Sequence, residues 1–398
     1  MSDPGEIIRI AAKGDGVTAD GRFAAGGALG DRLLPDGSLR HGPHHADPPC
    51  RHFPQCGGCD LQHCDDTALA QFVTDRVVNA AEGQGLAMGE LLPTHLSPPR
   101  SRRRATLHAL TGGKRPLLGF REGRSHRIVD MRECHVLAPE LWSLVEPLRR
   151  LLGLWQAKHA VDITLALTDQ GPDCAVKGLE IDGLAQTEAV LDFARDNTLA
   201  RLSFDQGYGM EAMWEPEPVA VSFGGVPVAY PAGAFLQATA DGERRLVRDA
   251  VDWLGECPAV ADLFAGLGAF AFALADSSSV VSVEAARDAV LACRQAAARA
   301  RLPVEAQHRD LFRNPLRPDE LPRFDAVLLD PPRAGAKDQV AQIADSGVPR
   351  VVYVSCNPSS WARDAKRLVE AGFRLEKVRP VGQFRWSTHA ELTSLFVR

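Results

Sequence analysis

Three short motifs in the last quarter of the chain carry side chains suited to covalent catalysis. A cysteine lies in Ser355-Cys356-Asn357-Pro358, and two carboxylates lie at Asp330 and Glu391. A thiolate adds readily to an electron-poor planar ring, and a carboxylate can then remove a proton from the adduct. We therefore predict that Cys356 is a nucleophile and Glu391 a general base. A structural cysteine and an ordinary surface acid are the alternatives.

The surroundings of Cys356 and Asp330 favour the catalytic interpretation. Cys356 follows an apolar strand and precedes a predicted helix that begins near Ser359, and a helix N-terminus can lower the pKa of a thiol. Asp330 is followed by Pro331-Pro332. Two prolines make this turn rigid, which suits a carboxylate that holds a planar base at a constant distance.

A glycine turn marks a candidate nucleotide site. The segment Asp262-Leu-Phe264-Ala-Gly266-Leu-Gly268 follows an apolar strand and opens a helix. Its glycines let the backbone approach a ligand, and Glu284 ends the next strand, where a carboxylate can bind ribose hydroxyls. Because position 271 is alanine, the dinucleotide pattern is incomplete. This favours S-adenosylmethionine over NAD, with a purely structural turn as the third interpretation. Asp310 either accepts a hydrogen bond from an adenine amino group or caps the next segment.

Four of the nine cysteines lie within a short stretch at residues 50–64. Cys50, Cys56 and Cys59, with the distant Cys134, can supply four thiolates, and Cys64 is a possible substitute. Zinc and a [4Fe–4S] cluster both accept four thiolates, so spacing alone leaves the metal open. The odd cysteine count, without a recognisable secretion signal, argues against a disulfide framework.

The chain of 398 residues predicts several domains. Residues 1–49 are polar and glycine-rich, with one short strand predicted over 7–11. Residues 50–240 hold the cysteines and then alternate short apolar runs with turns, which predicts an α+β domain with an antiparallel sheet. Residues 241–398 alternate strands and helices, which predicts a doubly wound parallel sheet. Glu284, Asp330 and Cys356 follow strands of this last segment, where such sheets bind ligands, whereas Glu391 precedes the apolar C-terminal stretch.

Charge and hydropathy restrict the classes of partner. The net charge is −6, yet nine lysines and arginines occur between Arg100 and Arg127 against the single acid Glu122. This basic segment is either a phosphate-contacting strip or a solvated basic hairpin. No apolar run is long enough to span a membrane, and the first ten residues do not resemble a signal peptide. We expect a cytoplasmic protein without a membrane partner.

The chain resembles the RNA uracil-5-methyltransferases, and specifically their bacterial iron–sulfur 23S ribosomal RNA branch. The resemblance extends from about Cys50 to the carboxyl terminus. It rests on six motifs: Cys50/Cys56-Gly-Gly-Cys59, Phe235-Leu-Gln237, Asp262-Leu-Phe-Ala-Gly-Leu-Gly, Asp330-Pro-Pro-Arg333, Ser355-Cys356-Asn-Pro and His389-x-Glu391.

The resemblance implies a Rossmann-like methyltransferase domain, a central α+β domain and a reduced N-terminal segment similar to a TRAM domain. It implies methylation of uridine C5 through a Cys356–C6 adduct, with Glu391 as base and a [4Fe–4S] cluster on Cys50, Cys56, Cys59 and Cys134. The remaining implied roles divide into two sets. Residues for S-adenosylmethionine are Gln237, Asp262, Phe264, Gly266, Glu284, Asp310 and Asp330; residues for the target base are Phe235, Asp330 and Arg333.

The chain departs from the family pattern in two segments that bear on RNA selection. Its N-terminal segment matches only the first half of a TRAM domain. Before His389 it has Gly382-Gln-Phe384-Arg385-Trp386-Ser387, where Arg385 and Trp386 are candidates for gripping RNA. We expect a monomer that acts on 23S ribosomal RNA rather than DNA. The alternatives are the same chemistry on transfer RNA and a non-catalytic RNA-binding or redox-sensing protein.

Overall fold

The computed structural model describes residues 3–113, 115–123 and 125–398. Lys114 and Arg124 of the basic segment lie outside the described residues. The first group of elements is small and entirely β. Its strands are β1 (Ile7–Ile10), β2 (Gly16–Thr18), β3 (Phe23–Ala24), β4 (Arg32–Leu33) and β5 (Leu39–Arg40). The first three form one antiparallel sheet and the last two a hairpin. The sequence predicts only one strand here, because strands of two or three residues have no usable periodicity.

The second group contains four helices and ten strands. The helices are α1 (Asp66–Glu82), α2 (Pro139–Trp142), α3 (Val145–Leu152) and α4 (Gly183–Asp196). The strands are β6 (Glu90–Leu91), β7 (His95–Leu96), β8 (Arg104–Leu110), β9 (Leu117–Gly119), β10 (Ala160–Thr168), β11 (Gly171–Lys177), β12 (Arg201–Asp205), β13 (Met210–Trp214), β14 (Ala220–Phe223) and β15 (Val226–Ala229).

A six-stranded sheet in the order β13-β12-β11-β10-β8-β9 forms the centre of this group. Its strands pair antiparallel except β11 and β12, which are parallel. The exception follows from α4, because a helix between two adjacent strands returns the chain in the same direction. The apolar sides of α2, α3 and α4 pack on this sheet around Ile163 and Leu202.

The third group is a doubly wound sheet with its helices. The helices are α5 (Ala240–Leu254), α6 (Ala269–Leu274), α7 (Arg287–Ala300), α8 (Lys337–Ala344) and α9 (Pro358–Glu370). The strands are β16 (Ala259–Leu263), β17 (Ser279–Glu284), β18 (Val304–His308), β19 (Ala326–Leu329), β20 (Arg350–Ser355), β21 (Arg374–Gly382) and β22 (Glu391–Val397).

The strands of the third group follow the order β18-β17-β16-β19-β20-β22-β21. The first five are parallel, and β22 is antiparallel to both of its neighbours. Strand order reverses between β16 and β19, which is the switch point where such sheets bind ligands. The predicted Rossmann-like α/β fold is confirmed.

Elements from the second group complete this sheet. Both β6 and β7 pair in parallel with β21, giving nine strands, and α1 packs against α9 and β21. The cysteine segment just before α1 is thereby held beside the C-terminal sheet. No helix in the described part of the chain is both long and apolar enough to cross a membrane.

Candidate functional site

A cavity of about 610 Å³ lies at the carboxyl edge of the parallel strands, at the switch point. It brings together ten of the eleven residues predicted for catalysis, cofactor and target base. These are Phe235, Gln237, Phe264, Gly266, Glu284, Asp310, Asp330, Arg333, Cys356 and Glu391. Asp262 is the exception. Residues separated by more than 150 positions in the sequence thus line one cavity. The catalytic and binding roles predicted for them remain predictions.

Three neighbouring strands position the proposed reacting groups. Asp330 directly follows β19, and Cys356 directly follows β20. Glu391 is the first residue of β22, which runs antiparallel to β20. Because the amino end of an antiparallel strand lies beside the carboxyl ends of its parallel neighbours, all three side chains meet at one edge.

Burial sets the protonation of these groups. It raises the pKa of the Cys356 thiol to about 11, with further contributions from the charges of Glu391 and Asp330. Burial raises the pKa of Glu391 to about 8, and that of Asp330 to about 7. The expected lowering of the thiol pKa by the start of α9 is wrong, because burial and two adjacent carboxylates outweigh the helix end.

A chain of two glutamine amides joins the two carboxylates. Gln383 Nε2 donates to Glu391 Oε2 and, at 2.7 Å, to Gln237 Oε1. Gln237 Nε2 donates in turn to Asp330 Oδ2 at 3.1 Å. We assigned no role to Gln383 from the sequence. Its only signal there is a lone polar residue after the apolar end of β21, which is too weak to identify a site.

Gln237 is also anchored through its backbone. Arg103 Nε donates to the Gln237 carbonyl at 3.1 Å, and the Arg103 guanidinium pairs with Glu243 at 2.5 Å, both side chains being largely buried. This ion pair turns one arginine of the basic segment inward. Burial raises the pKa of Glu243 even so, and the neighbouring arginine partly offsets that effect.

The glycine turn leaves β16 in unusual backbone conformations. Phe264, Gly266 and Gly268 have φ values of 63°, 56° and 90°. A Cβ on Gly268 would lie 3.0 Å from Cys293 Sγ and from a Phe272 ring carbon, so both conformation and space require glycine there. Strain at a non-glycine residue such as Phe264 is typical of ligand-binding turns.

Glu284 is held rigidly at this turn by backbone donors. Its Oε2 accepts from Gly266 N at 3.0 Å, and its Oε1 accepts from Ala285 N and Ala286 N, each at 2.8 Å. A carboxylate oriented in this way at the cavity wall suits a bidentate contact with the two hydroxyls of a ribose.

Asp262 differs from the prediction, whereas Asp310 is compatible with both alternatives given for it. Asp262 is fully buried behind the turn, neither of its carboxyl oxygens has a well-formed hydrogen bond, and burial raises its pKa to about 8. Asp262 therefore does not line the cavity. Asp310 lines the cavity but its Oδ1 also accepts from Phe312 N at 3.0 Å, so it caps its own segment as well.

Aromatic and cationic side chains surround the cavity mouth. The Phe235 side chain is 63% exposed, and the Arg104 guanidinium lies 5.9 Å from its ring centre. Phe312, 47% exposed, lies 5.3 Å from the Phe264 ring. Exposed rings beside arginines are suited to stacking on unpaired bases.

A second, much smaller cavity of about 20 Å³ is lined by all four predicted cysteine ligands, Cys50, Cys56, Cys59 and Cys134. The pKa of Cys59 is raised to about 12, mainly by burial and to a smaller extent by the three neighbouring thiols. Cys64 does not line this cavity, so its possible role as a substitute ligand is not supported.

The donor set of this cavity fits a thiolate-bound metal centre. Four thiols is the ligand count of tetrahedral zinc and of a [4Fe–4S] cluster, and Leu137 N donates to Cys134 Sγ at 3.5 Å, as backbone amides do around such centres. Within the described ranges, no three His, Cys, Asp or Glu side chains are already clustered tightly enough to hold a single ion.

The cysteine segment is bonded to the loop that precedes Glu391. Asp60 N and Leu61 N both donate to the Trp386 carbonyl, at 2.6 and 2.9 Å. Trp386 itself is only 8% exposed, and Arg385 is occupied by Asp66 and the Ser97 carbonyl. Arg385 and Trp386 therefore brace this loop internally, contrary to the expectation that they face RNA.

Comparison with known proteins gives a consistent set of similarities. A family model described as tRNA (Uracil-5-)-methyltransferase matches residues 307–398. An RNA methyltransferase of Zymomonas mobilis is 49% identical over 99% of both chains. The 23S rRNA (uracil(1939)-C(5))-methyltransferase RlmD of Pectobacterium carotovorum is 33% identical, covering 90% of this chain and 82% of its own length.

A solved structure shares the fold along nearly the whole chain. The Pyrococcus abyssi tRNA (uracil-54, C5)-methyltransferase, crystallised with S-adenosyl-L-homocysteine, superposes with a TM-score of 0.75 over 99% of both chains. The sequences are 22% identical, so this likeness concerns the fold.

Proposed function

This chain belongs to the RNA uracil-5-methyltransferase family, and on that basis we propose that it methylates C5 of a uridine in 23S ribosomal RNA through a covalent Cys356–C6 adduct. The observation that carries the proposal is the convergence of Cys356, Asp330 and Glu391 on one cavity at the switch point. No other arrangement in the described residues combines a nucleophile, a buried base and a cofactor-sized space.

The residues that would hold S-adenosylmethionine are those around the glycine turn. Glu284 offers an oriented carboxylate to the ribose, and Phe264 with Phe312 offers aromatic faces to the adenine. When bound there, S-adenosylmethionine supplies the methyl group. Asp262 is not included in this set, because it is fully buried and does not line the cavity.

The target uridine leaves its RNA fold and enters the cavity beside Phe235. Asp330 hydrogen-bonds the base, and its pKa near 7 lets it do so as either acid or carboxylate. The Cys356 thiolate adds to C6, and the C5 made nucleophilic in this way takes the methyl group, leaving S-adenosylhomocysteine. Glu391 then takes the C5 proton, and the Cys356–C6 bond breaks.

The pKa values suit this order of events. Glu391, with a pKa of about 8, is well matched to accept a proton near neutral pH. Cys356, with a pKa of about 11, is a neutral thiol in the absence of substrate. The thiol proton must therefore be lost as the base binds; Asp330 is the adjacent acceptor, which leaves Glu391 free to take the C5 proton.

We further propose that Cys50, Cys56, Cys59 and Cys134 hold a [4Fe–4S] cluster. Support comes from the resemblance of the cysteine motif to the iron–sulfur branch of the family. It also comes from the four thiols around one cavity, in a segment bonded to the loop that precedes Glu391. Iron and acid-labile sulfide measured on anaerobically purified protein test this directly. Stoichiometric zinc without iron would instead show a tetrahedral zinc centre.

The chemistry is tested by methyl transfer to RNA in vitro. We expect the Cys356→Ala protein to lose activity by at least about a thousandfold, because no other group can activate C5. Its affinity for S-adenosylmethionine should change little. Normal formation of 5-methyluridine by this variant would contradict the covalent mechanism.

The RNA target is tested separately by mapping 5-methyluridine in a deletion strain. Loss of one site in 23S ribosomal RNA is the expected result. Loss confined to transfer RNA would support the alternative substrate, which the description of the matched family model favours. Unchanged modification in both RNAs would support a non-catalytic role.

A further inference from the structure

We propose that Gln383 is a positioning residue that holds Glu391 in the hydrogen-bond-accepting, ionised form needed to remove the C5 proton. The inference rests on the proposed function and adds a residue and a role to it. Gln383 is 2% exposed and lies directly after β21, opposite the start of β22. Gln383 does not itself line the cavity, but it is bonded to Glu391 and Gln237, which do.

The orientation of the Gln383 amide is determined by its partners. Its Oε1 accepts from the backbone N–H of Thr239 at 3.3 Å, so this end must be the oxygen. The other end is then an NH₂ group with two hydrogens. One points to Glu391 Oε2 and the other to Gln237 Oε1.

The same logic determines the orientation of Gln237. Because its Oε1 accepts from Gln383, its Nε2 must face outward, and it donates to Asp330 Oδ2 at 3.1 Å. Donation therefore runs in one direction from the Thr239 backbone to two carboxylates. Both carboxylates act as acceptors, and hydrogen bonds of this kind favour the ionised form.

The other charged groups near Glu391 do not provide this stabilisation. Asp330 and a Cys356 thiolate would repel its negative charge, and Glu243 is neutralised by Arg103. Arg333 lines the cavity but makes no ion pair with Glu391. In the described part of the chain, Gln383 is the side chain that donates to Glu391, and it partly offsets the effect of burial on its pKa.

The test is Gln383→Met, which keeps the length of the side chain and removes both donors. A hydrogen bond to a charged group is worth enough to shift a pKa by about one to two units. We expect the rising limb of the kcat–pH profile to move upward by that amount. Near neutral pH kcat should fall about ten- to a hundredfold and recover at higher pH, while KM for RNA changes less than about twofold.

A 5-fluorouridine RNA separates base removal from adduct formation. The Cys356 Sγ–C6 bond forms and the methyl group reaches C5, but the fluorine on C5 cannot be removed as a proton, so the adduct persists. Since these steps do not use Glu391, Gln383→Met should form the trapped adduct at a rate within about threefold of the parent. Equal losses of adduct formation and turnover would overturn the proposal, as would an unshifted pH profile.

Two further variants keep the result interpretable. Gln339 is a buried glutamine whose amide bonds the Leu316 backbone away from the cavity, so Gln339→Met is the matched control for loss of a buried amide. It should leave the pH profile in place. Gln383→Glu serves if Gln383→Met does not fold, with the same expected contrast between turnover and adduct. If the parent protein itself forms no adduct, the result contradicts the proposed function. If the parent forms the adduct and the Gln383 variant loses adduct formation and turnover equally, the result contradicts the role of Gln383.

Discussion

At the scale of single residues, the candidate site and its surroundings contain three carboxyl groups whose ionisation is disfavoured by burial. Asp262, Asp330 and Glu391 all have pKa values raised mainly by burial, to about 8, 7 and 8. For Asp330 and Glu391 a glutamine donor limits the rise. Asp262 lacks a well-formed hydrogen bond, so it shows the cost of burial most clearly.

Asp262 makes stability depend on pH in a defined direction. Its pKa is raised from 3.8 to about 8 in the folded protein, so the folded state holds a proton that the unfolded state releases. The resulting stabilisation is fully present below about pH 4 and is lost as the pH rises through 8. We expect Asp262→Asn to exceed the parent in unfolding free energy by on the order of 3 kcal/mol at pH 9.

Denaturant titrations of both proteins across pH 5 to 9 measure this difference. The gap between variant and parent should widen from pH 5 to about pH 8 and then level off, because above pH 8 the carboxyl is ionised in both the folded and the unfolded state. A gap that stays constant would mean that Asp262 is ionised in the folded protein, and would point to an unrecognised donor near its carboxylate.

At the scale of elements, the glycine turn after β16 depends on one residue without a side chain. We expect Gly268→Ala to destabilise the protein by about 2 to 4 kcal/mol, because its φ of 90° is strained and the new methyl group meets Cys293 and Phe272 at 3.0 Å. Affinity for S-adenosylmethionine should fall as α6 shifts. Thermal unfolding and calorimetric titration measure the two effects.

Gly21 provides the matched control for this substitution. Its φ is 88°, and a Cβ there would meet nothing within 4 Å. Gly21→Ala should therefore show only the conformational penalty, about 1 kcal/mol, with unchanged cofactor affinity. Equal effects of the two substitutions would mean that contact with Cys293 and Phe272 is unimportant.

The cysteine segment supports the loop between β21 and β22 through Asp60 and Leu61. We expect Cys59→Ala to lose bound metal and to speed amide hydrogen exchange across residues 383–390, since the donors to Trp386 lie immediately after Cys59. Mass spectrometry after exchange measures this. Cys64→Ala is the control, being a buried cysteine of the same segment that does not line the cavity. Unchanged exchange in Cys59→Ala would uncouple the segment from the loop.

At the scale of the whole molecule, an acidic chain must present a local positive surface to RNA. Arg100 and Arg121 are exposed and, among the described residues, make no ion pair. Arg103, by contrast, is buried against Glu243. The basic segment is therefore divided between a surface part and a structural part.

The double variant Arg100→Gln/Arg121→Gln should bind RNA more weakly and with a lower salt dependence. Each lost phosphate contact reduces the slope of log affinity against log salt by about 0.7 to 0.9. Arg301→Gln is the control, because Arg301 is exposed at the end of α7 and lies outside the basic segment. RNA binding measured over a range of salt concentrations distinguishes the two variants. Equal salt slopes for the double variant and the control would mean that Arg100 and Arg121 make no phosphate contact.

The sequence by itself determined the Rossmann-like sheet and the ends of its main elements. The helix predicted to begin near Ser359 begins at Pro358 in the structure, because apolar periodicity and flanking polar residues are local signals. Glu284, Asp330 and Cys356 could also be placed at the carboxyl ends of strands, although Glu391 begins a strand instead. That placement follows from strand order alone, and it needs no side-chain contact.

Only the tertiary structure decided which of those residues share the cavity and what charge they carry. Gln383 and Gln237 are 146 positions apart, and Gln237 and Asp330 are 93 apart, so their hydrogen bonds have no local signature. Asp262 is withdrawn behind its turn, and Cys356 is kept neutral by burial and neighbouring acids. Burial and long-range hydrogen bonding exist only after packing, and they set the charge of the candidate thiol and base and join Glu391 to Gln383.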